Sequence, residues 1–399
     1  RTLSILEEVA DRVGMAYKDY YSLPLDDEAV FKTFNDMRLF GIFQFEGYAL
    51  QSVTREMGVH SFDDIAAITA LARPGPIHSG GTNIFVRRKT GREPVKYLSD
   101  HPAVVESTTD TLGIIIYQEQ LMEIARKYGG MTWEDVSELR RAASKSLGEE
   151  YFNRFKDKFY KGTREKGIDD AEAENVWLNM MTFGSWGFNK SHAVAYGMIS
   201  YWTAWAKTHH PLEFAAANMN NARSDDSAIK ILRDMVRHDG VEYKDIDPDY
   251  SIAKWDIGKN ENGNRYLVGG LTTIRGIGIK KAADIVQRRA NRNLTANQFN
   301  KLTNPDTPFT ILFPAQHHWG KIYDNPSAYG LNKSVSQIED IKEEGQYVFI
   351  GRLVDRSLRD LNEYQSVVKR GGKIIESDTL FLNLTVEDDT ASINSTYNR

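Results

Sequence analysis

The sequence predicts a multidomain protein that is mainly α-helical and that is followed by a small, incomplete β domain. The clearest helical segment is Ala193–His209, where large apolar side chains recur every three or four residues. The β pattern lies near the end of the chain, where Tyr347–Val354 and Thr379–Val386 are rich in β-branched and aromatic residues. A basic hairpin, Lys369–Lys373, separates these two predicted strands.

Composition limits the possible classes of protein. The chain has 399 residues, enough for two or three domains, with 41% hydrophobic and 26% charged residues. It contains no cysteine, which excludes disulfides and thiolate zinc sites and fits a cytoplasmic location. We find no signal peptide and no apolar run long enough to cross a bilayer, so we expect no membrane association.

The charge is unevenly distributed along the chain. The net charge is −5, but Arg140–Lys166 contains nine basic and four acidic residues, and Arg275–Arg292 contains six basic residues and one acid. Local basic patches of this kind favour polyanion binding whatever the total charge. Solvated helix faces are the alternative interpretation.

The first hundred residues alternate helical stretches with turns. Arg1–Ser4 opens a helix, and Asp27 is placed to cap a second helix before Phe31. Arg73-Pro74-Gly75-Pro76 reads as a stiff turn that fixes the direction of Arg73. The alternative for this segment is a plain loop with a solvated arginine.

A second dense block lies between residues 110 and 146. Thr111–Tyr117 is predicted to be a short, buried, extended segment, and Gln118 then opens a helix. Further on, Arg141 and Lys145 are four residues apart and share a helix face. Two like charges repel there unless an anion lies between them, and the spacing suits a triphosphate.

The segment on which the functional interpretation depends is Phe183–His192, which reads Phe-Gly-Ser-Trp-Gly-Phe-Asn-Lys-Ser-His. Gly187 allows a turn, and Asn189 or Ser191 can cap the long apolar helix that follows. Backbone donors at a helix N-terminus, with a lysine and a histidine beside them, predict a phosphate site. An ordinary helix cap is the alternative.

A helix-hairpin-helix is predicted over Leu271–Arg289, around a Gly276-Ile277-Gly278 turn. In such a turn, backbone N–H groups meet a DNA phosphate, and a Cβ would block the approach. An apolar residue on each side and a basic second helix support this prediction.

Two other segments contain the residue types that often bind metal ions. Asp245-Ile246-Asp247-Pro248-Asp249 carries alternating carboxylates, but the proline prevents a regular strand, so we interpret the run as non-catalytic. The adjacent His209 and His210 point apart on a helix and are poorly placed to chelate one ion. We expect Pro211 to end that helix.

Several of these blocks, in this order, resemble the fingers domain of C-family replicative DNA polymerases, the bacterial DNA polymerase III alpha subunits. Phe183–His192 is similar to that family's Tyr-Gly-Phe-Asn-Lys-Ser-His signature, with Trp186 in place of the tyrosine. Ala70–Pro76 resembles its Ala-Leu-x-Arg-Pro-Gly-Pro block. Tyr117–Met122 resembles Tyr-Gln-Glu-Gln-Val-Met, and Leu139–Lys145 resembles the start of Leu-Arg-Arg-Ala-Met-Gly-Lys-Lys.

The resemblance implies template-directed DNA synthesis by the intact protein, a DNA-directed DNA polymerase that transfers nucleotides from dNTPs to a primer 3′ end. The catalytic aspartates and the Mg²⁺ ions would lie in a palm domain outside this segment, so we expect no catalytic residue and no metal ligand within it. Gly41–Glu46 is similar to a further family block that follows the palm.

The resemblance also implies site residues and domain boundaries. We expect the nucleotide site to be lined by Arg73, Arg140, Arg141, Lys145, Asn189, Lys190, Ser191 and His192. We expect DNA to be bound by Arg275, Gly276, Gly278, Lys280, Lys281, Lys369 and Arg370. The expected domains are a palm-to-fingers connection (1–45), fingers (46–240), a helix-hairpin-helix region (241–300), a linker (301–345) and a partial OB-fold domain (346–399).

The partners implied are primer-template DNA, dNTPs and single-stranded DNA, and possible further partners are a sliding clamp and a proofreading exonuclease. Two alternatives remain open at this point. The first is a non-catalytic DNA-binding subunit, or the fingers subunit of a split polymerase. The second is a metal-dependent hydrolase that would use His209, His210, His317 and His318.

Overall fold

The structure is a computed structural model of the chain. It describes residues 1–144, 149–184, 187–307 and 309, together with the backbone of strands at 352–360, 369–370, 373–374, 380–387 and 392–398. The chain divides into two compact units, Arg1–Thr307 and Pro308–Arg399.

The first unit is mainly α-helical, as the sequence predicts. Its α-helices are α1 (Thr2–Val13), α2 (Glu28–Asn35), α3 (Tyr48–Met57), α4 (Phe62–Leu71), α5 (Pro74–His78), α6 (Gly81–Lys89), α7 (Pro102–Thr108), α8 (Gln118–Glu123), α9 (Trp133–Ser144), α10 (Glu149–Asn153), α11 (Lys156–Glu165), α12 (Asp170–Gly184), α13 (Lys190–His209), α14 (Pro211–Asn220), α15 (Asp225–His238), α16 (Ile279–Ala290) and α17 (Ala296–Thr303). Short 3-10 helices cover Tyr17–Ser22, Thr109–Thr111 and Leu271–Thr273, and a π-helical turn covers Ile124–Tyr128.

Several local predictions are confirmed. Asp27 caps α2 by accepting hydrogen bonds from the Ala29 and Val30 amides. The extended segment predicted at Thr111–Tyr117 is confirmed only in its second half, where Ile114–Tyr117 is buried and Tyr117 forms a β-bridge. Its first half is wrong, because Thr111 ends a 3-10 helix and Leu112 and Gly113 have left-handed φ values. The interpretation of Arg73–Pro76 as a turn is wrong in detail, because Pro74 begins α5, where its fixed φ and missing N–H suit the first helical position.

The helix α13 is the centre of the first unit. It packs against α4, α2, α14 and α1, and most of its middle residues are buried. Tyr201 is fully buried and donates a hydrogen bond from its hydroxyl to the Pro24 carbonyl (2.7 Å), which links α13 to the segment before α2. α13 ends at His209, as predicted, and Pro211 also begins a further helix, α14, which was not predicted.

A buried ion network fixes the C-terminal half of α13. Lys207 Nζ lies 2.5 Å from Asp234 Oδ2 on α15 and 3.3 Å from Asp239 Oδ2, and it donates a hydrogen bond to the Phe40 carbonyl at 2.9 Å. Arg38 reaches the same Asp239 at 2.7 Å. Burial raises the pKa of Asp239, an effect that the nearby Lys207 and Arg38 oppose.

A second hydrophobic core joins α7–α12. Its largest fully buried side chains are Trp177, Phe159 and Tyr128. α11 approaches the end of the π-helical turn so closely that a Cβ on Gly162 would lie 2.0 Å from the Gly129 carbonyl oxygen. Glycine is therefore required there for close packing.

The last part of the first unit contains a small sheet and a third hydrophobic cluster. β1 (Tyr243–Lys244) pairs parallel with β3 (Arg265–Val268), and β2 (Asp256–Lys259) pairs antiparallel with the other edge of β3. The cluster lies under α16 and consists of Ile246, Leu271, Ile274, Ile277, Ala282, Ile285 and Leu302.

The second unit is a β region. β4 (Arg352–Asp360), β7 (Leu380–Glu387) and β8 (Ser392–Asn398) form an antiparallel sheet in the order β4-β7-β8. β5 (Lys369–Arg370) pairs with β6 (Lys373–Ile374) as the predicted hairpin. The predicted strand at 379–386 is confirmed with a shift of one residue, whereas most of the strand predicted at 347–354 lies outside the described residues.

Candidate functional site

The N-termini of α8 and α13 lie side by side because their preceding residues pair as extended backbone. Tyr117 and Phe188 form an isolated parallel bridge. The Phe188 amide donates to the Ile116 carbonyl (3.0 Å), and the Gln118 amide donates to the Phe188 carbonyl (2.9 Å). Two blocks that are far apart in sequence thereby form one corner of the molecule.

The N-terminus of α13 is capped from two sides. Asn189 Oδ1 accepts from the His192 amide at 2.8 Å, which confirms Asn189 as the N-cap. Glu119, on α8, accepts from the Lys190 amide at 2.9 Å and from Asn189 Nδ2 at 3.0 Å. Two of the first three amides of α13 are therefore already bonded within the chain. The prediction that the backbone of this helix end is open to a phosphate is wrong for the Lys190 and His192 amides.

Arg73 reaches this corner from the start of α5. Its guanidinium carbon lies 3.9 Å from the centroid of the Phe188 ring, in a cation–π contact. Burial lowers the pKa of Arg73, and Tyr196 partly opposes that effect. A guanidinium remains protonated in proteins, so Arg73 presents a fixed cation on the ring.

Four aromatic rings, two of them on α13, form a chain of contacts that begins at Phe188. His192 lies 5.3 Å from Phe188 and 4.0 Å from Tyr196, and Phe43 lies 5.4 Å from Tyr196 (ring centroids). We call Phe43, Phe188, His192 and Tyr196 the ring cluster. It gives His192 a fixed orientation beside Arg73 and the helix cap.

Lys190 and Ser191 occupy the exposed side of the same helix end. Lys190 Nζ lies 5.7 Å from the Tyr117 ring centroid and 4.0 Å from Asp110 Oδ2, with 48% of its side chain exposed. Ser191 is exposed as well. Burial and the nearby carboxylates of Asp63, Glu119 and Asp110 raise the pKa of Tyr117.

The other predicted nucleotide-site residues lie on α9 or beyond it. Arg140 and Arg141 are exposed, and Arg141 Nη1 forms an ion pair with Glu138 of the same helix at 3.8 Å. Lys145 lies outside the described residues. The structure thus brings Arg73, Asn189, Lys190, Ser191 and His192 together, while Arg141 is paired within its own helix.

The predicted DNA-binding turn differs from the α13 end in its chemistry. Gly276 has a left-handed φ of 78°, and a Cβ on Gly276 or Gly278 would meet no atom within 4 Å. Gly278 is the N-cap of α16 and provides no side-chain cap. The residues before the turn form a three-residue 3-10 helix, Leu271–Thr273, where the helix-hairpin-helix prediction has an α-helix.

The basic residues around that turn are exposed. Arg275 lies 3.8 Å from Asp306, and Lys281 Nζ donates to the Gly276 carbonyl at 3.1 Å. Lys280 is exposed on the first turn of α16. Lys369 and Arg370, in the second unit, are described only as the backbone of β5.

The segments that imitate metal sites have structural partners. Asp247 is buried and accepts hydrogen bonds from Lys244 Nζ (2.7 Å), Tyr266 Oη (2.9 Å) and two backbone amides, which outweigh burial and lower its pKa. His209 Nε2 lies 2.7 Å from Asp27 Oδ2. Within the described residues no group of His, Asp or Glu is arranged to hold a metal ion, and His317 and His318 lie outside them. The same residues include no helix that is both long and apolar enough to span a bilayer.

The sequence patterns did not indicate Glu119 or Tyr117 as parts of this corner. Glu119 lies within a glutamine-rich helix start, and its partner Asn189 is 70 residues further along the chain. No local spacing relates the two. The hydrogen bonds from the start of α13 to Glu119 could be identified only from the structure, which shows that the N-termini of α8 and α13 lie side by side.

A family model and the similar known proteins indicate the same family. Residues 2–167 match the model for the bacterial DNA polymerase III alpha subunit finger domain. The chain is 36% identical to DNA polymerase III subunit alpha of Aquifex aeolicus over 72% of this chain and 24% of that protein. It is 35% identical to the protein of that name from Buchnera aphidicola of Acyrthosiphon pisum (75% and 26%) and 34% identical to that from Buchnera aphidicola of Schizaphis graminum (89% and 31%). The chain therefore spans about a quarter to a third of the length of these relatives.

Proposed function

Because the chain belongs to the family of bacterial DNA polymerase III alpha subunits and carries its finger domain, we propose that it supplies the nucleotide-binding part of a replicative DNA polymerase. The intact protein would extend a primer 3′ end by nucleotidyl transfer from dNTPs. The chain covers only part of its relatives, so this activity is proposed for the whole protein.

The observation that carries the proposal is the convergence of two cations and a histidine on one corner of the first unit. Arg73 stacks on Phe188, His192 packs between Phe188 and Tyr196, and Lys190 lies beside Tyr117. Charged donors held in place by rings can neutralise a triphosphate without rearranging when it binds. Because Glu119 and Asn189 already bond two of the helix amides, the side chains have to supply most of that charge.

Arg140, Arg141 and Lys145 remain part of the proposal as further cations. Arg141 is exposed, and its ion pair at 3.8 Å is of the weak surface type, so an arriving triphosphate can compete for it. Lys145, four residues after Arg141 in the sequence, would add a second charge.

The Mg²⁺ that polymerase chemistry requires does not fit the described residues of this chain. Both carboxylate oxygens of Asp247 already accept hydrogen bonds, from Lys244, Tyr266 and backbone amides. We propose that the metal ligands belong to another part of the intact protein.

We further propose that the turn before α16 binds the backbone of primer-template DNA. Gly278 provides no side-chain cap, a Cβ on Gly276 or Gly278 would meet no atom within 4 Å, and the exposed Arg275, Lys280 and Lys281 lie at the turn. We propose that the β region, with Lys369 and Arg370 on its hairpin, is an OB-like module for single-stranded DNA. A sliding clamp and an exonuclease would be partners of the whole replicative enzyme, which would work where bacterial DNA lies, in the cytoplasm.

The test is Lys190→Ala in the intact polymerase. Loss of a charge-assisted contact to phosphate is expected to raise the nucleotide concentration for half-maximal rate by roughly 10- to 100-fold. Lys190→Arg should restore most of the affinity, since it keeps the charge. Steady-state primer extension at varied dNTP concentration measures the effect.

The matched control is Lys32→Ala, which removes an exposed lysine that pairs with Asp36 on α2. We expect it to leave the nucleotide requirement unchanged. Equal behaviour of the Lys190 and Lys32 variants would reject the α13 end as the nucleotide site.

A further inference from the structure

An exposed tryptophan marks a second surface of the first unit. Trp133 is the first residue of α9, and 59% of its surface is accessible to solvent. The guanidinium carbon of Arg126 lies 4.2 Å from the centroid of its ring. A large indole that is both exposed and stacked by a cation is a platform on which another flat group can stack.

Arg126 has no carboxylate partner among the residues that the structure describes. Other surface cations nearby are paired, as Arg164 is with Asp170 (2.7 Å) and Lys158 with Asp135 (2.5 Å). The hydrogen-bond donors of Arg126 are therefore available to an anion. Stacking on Trp133 limits the freedom of the guanidinium and so reduces the entropy lost when it binds.

The π-helical turn explains how Arg126 and Trp133 come together. The Gly129 amide bonds to the Ile124 carbonyl (3.0 Å) and the Met131 amide bonds to the Ala125 carbonyl (3.2 Å), so the chain leaves the helix immediately after Tyr128. Thr132 then caps α9, with its Oγ1 accepting from the Asp135 amide at 3.2 Å. Insertions of this kind in a helix are often found at functional sites.

A further basic residue lies at the π-helical turn that carries Arg126. Lys166, at the end of α11, donates from Nζ to the carbonyls of Lys127 and Tyr128. The guanidinium of Arg126 favours an anion, and the exposed indole favours an anion that carries flat rings.

We propose that Trp133 and Arg126 form a contact site for single-stranded DNA, with one base stacked on the indole and a neighbouring phosphate held by the guanidinium. Single strands are favoured over duplex because the bases of a duplex are already stacked on one another. The choice of DNA over RNA rests on the proposed polymerase function. The site itself is separate from the α13 end.

The position of the platform suits a strand that passes the nucleotide site. Arg126 lies seven residues after Glu119 on one continuous helical segment, which is roughly 10 Å along its axis. A template strand near the α13 end could therefore reach Trp133 without crossing the molecule.

The experiment measures binding of a short, labelled oligothymidylate to the chain by fluorescence anisotropy at several salt concentrations. Trp133→Ala should weaken binding by roughly five- to hundredfold, and Trp133→Phe should retain most of it. Arg126→Gln should weaken binding and reduce the slope of log affinity against log salt by about 0.7. The matched control is Tyr48→Ala, because Tyr48 is the more exposed aromatic residue (84%) and lies on α3.

A local measurement excludes masking by other DNA-binding surfaces of the chain. Ultraviolet cross-linking of an oligonucleotide that carries a halogenated uracil should label the peptide that contains Trp133. Wild-type affinity in Trp133→Ala, together with absence of that cross-link, would overturn the proposal. An equal loss of affinity for duplex and single strand would also overturn it, because stacking on the indole requires an unpaired base.

The proposed nucleotide site can fail without this proposal failing. Trp133→Ala should leave the nucleotide requirement of the intact polymerase unchanged when the single-stranded template overhang is limited to the templating nucleotide. Lys190→Ala should leave oligothymidylate affinity unchanged.

Discussion

The N-termini of α13 and α16 follow similar glycine-containing turns but offer opposite kinds of binding surface. The α13 end is closed, because Asn189 and Glu119 bond two of its first three amides. The α16 end is open, because Gly278 provides no side-chain cap and no atom lies near its missing Cβ. A closed end has to bind an anion through placed side chains, whereas an open end can use its amides directly.

The two helices also differ in how firmly they are held. α13 is packed on several sides and is anchored by buried Lys207, whereas α16 rests on one cluster and exposes Ile279 to solvent by 71%. A small ligand such as a nucleotide requires cations at fixed positions. The backbone of DNA presents the same phosphate repeatedly, so an open helix end with exposed lysines is sufficient for it.

The largest effect is expected when the buried ion network at the C-terminal end of α13 is removed. Lys207→Met leaves Asp234 and Asp239 buried with less positive charge, and we expect it to lower the free energy of unfolding by about 3–5 kcal/mol. Lys190→Met, at the exposed end of the same helix, should cost less than about 1 kcal/mol. Urea unfolding followed by circular dichroism measures both. Similar small losses would show that the ion network does not anchor α13.

A smaller effect is expected at the open end of α16. Gly276→Ala should weaken duplex DNA binding by roughly tenfold, because a Cβ blocks the approach of a phosphate to the amides. Gly240→Ala is the matched control, since Gly240 also has a left-handed φ (65°) and open space around it. Both variants carry the same backbone strain, of about 1–2 kcal/mol. Equal DNA affinities, measured at one salt concentration, would remove the α16 end from the DNA-binding surface.

The smallest effect tests whether Glu119 competes with the nucleotide at the closed end. Glu119→Gln removes a negative charge that lies against the N-terminus of α13, and we expect the nucleotide requirement to fall by roughly two- to fivefold. Glu123→Gln, one turn further along and paired with Lys127 at 3.4 Å, should have no effect. A rise in the requirement for Glu119→Gln would mean that the carboxylate positions the helix end and does not compete for it.

The local features of both regions could be predicted from sequence. The cap at Asn189, the ends of α13 and the left-handed turn at Gly276 each depend on residues within a few positions of one another. The same is true of Asp27 at the start of α2. Arg73 was identified as a functional candidate, but the helix that begins at Pro74 was missed because proline suits both a turn and a first helical position.

The sequence by itself determined the helical character, the family and most of the cations that gather at the α13 end, because periodicity, capping residues and motif order are written along the chain. Only the tertiary structure decided that Glu119 closes that end, that Phe188 carries Arg73, and that Arg126 stacks on an exposed Trp133. The physical reason is distance along the chain. The charge of a side chain follows from its own identity. Whether the polar groups around it can bind a ligand depends on the hydrogen bonds that they already make with residues distant in sequence.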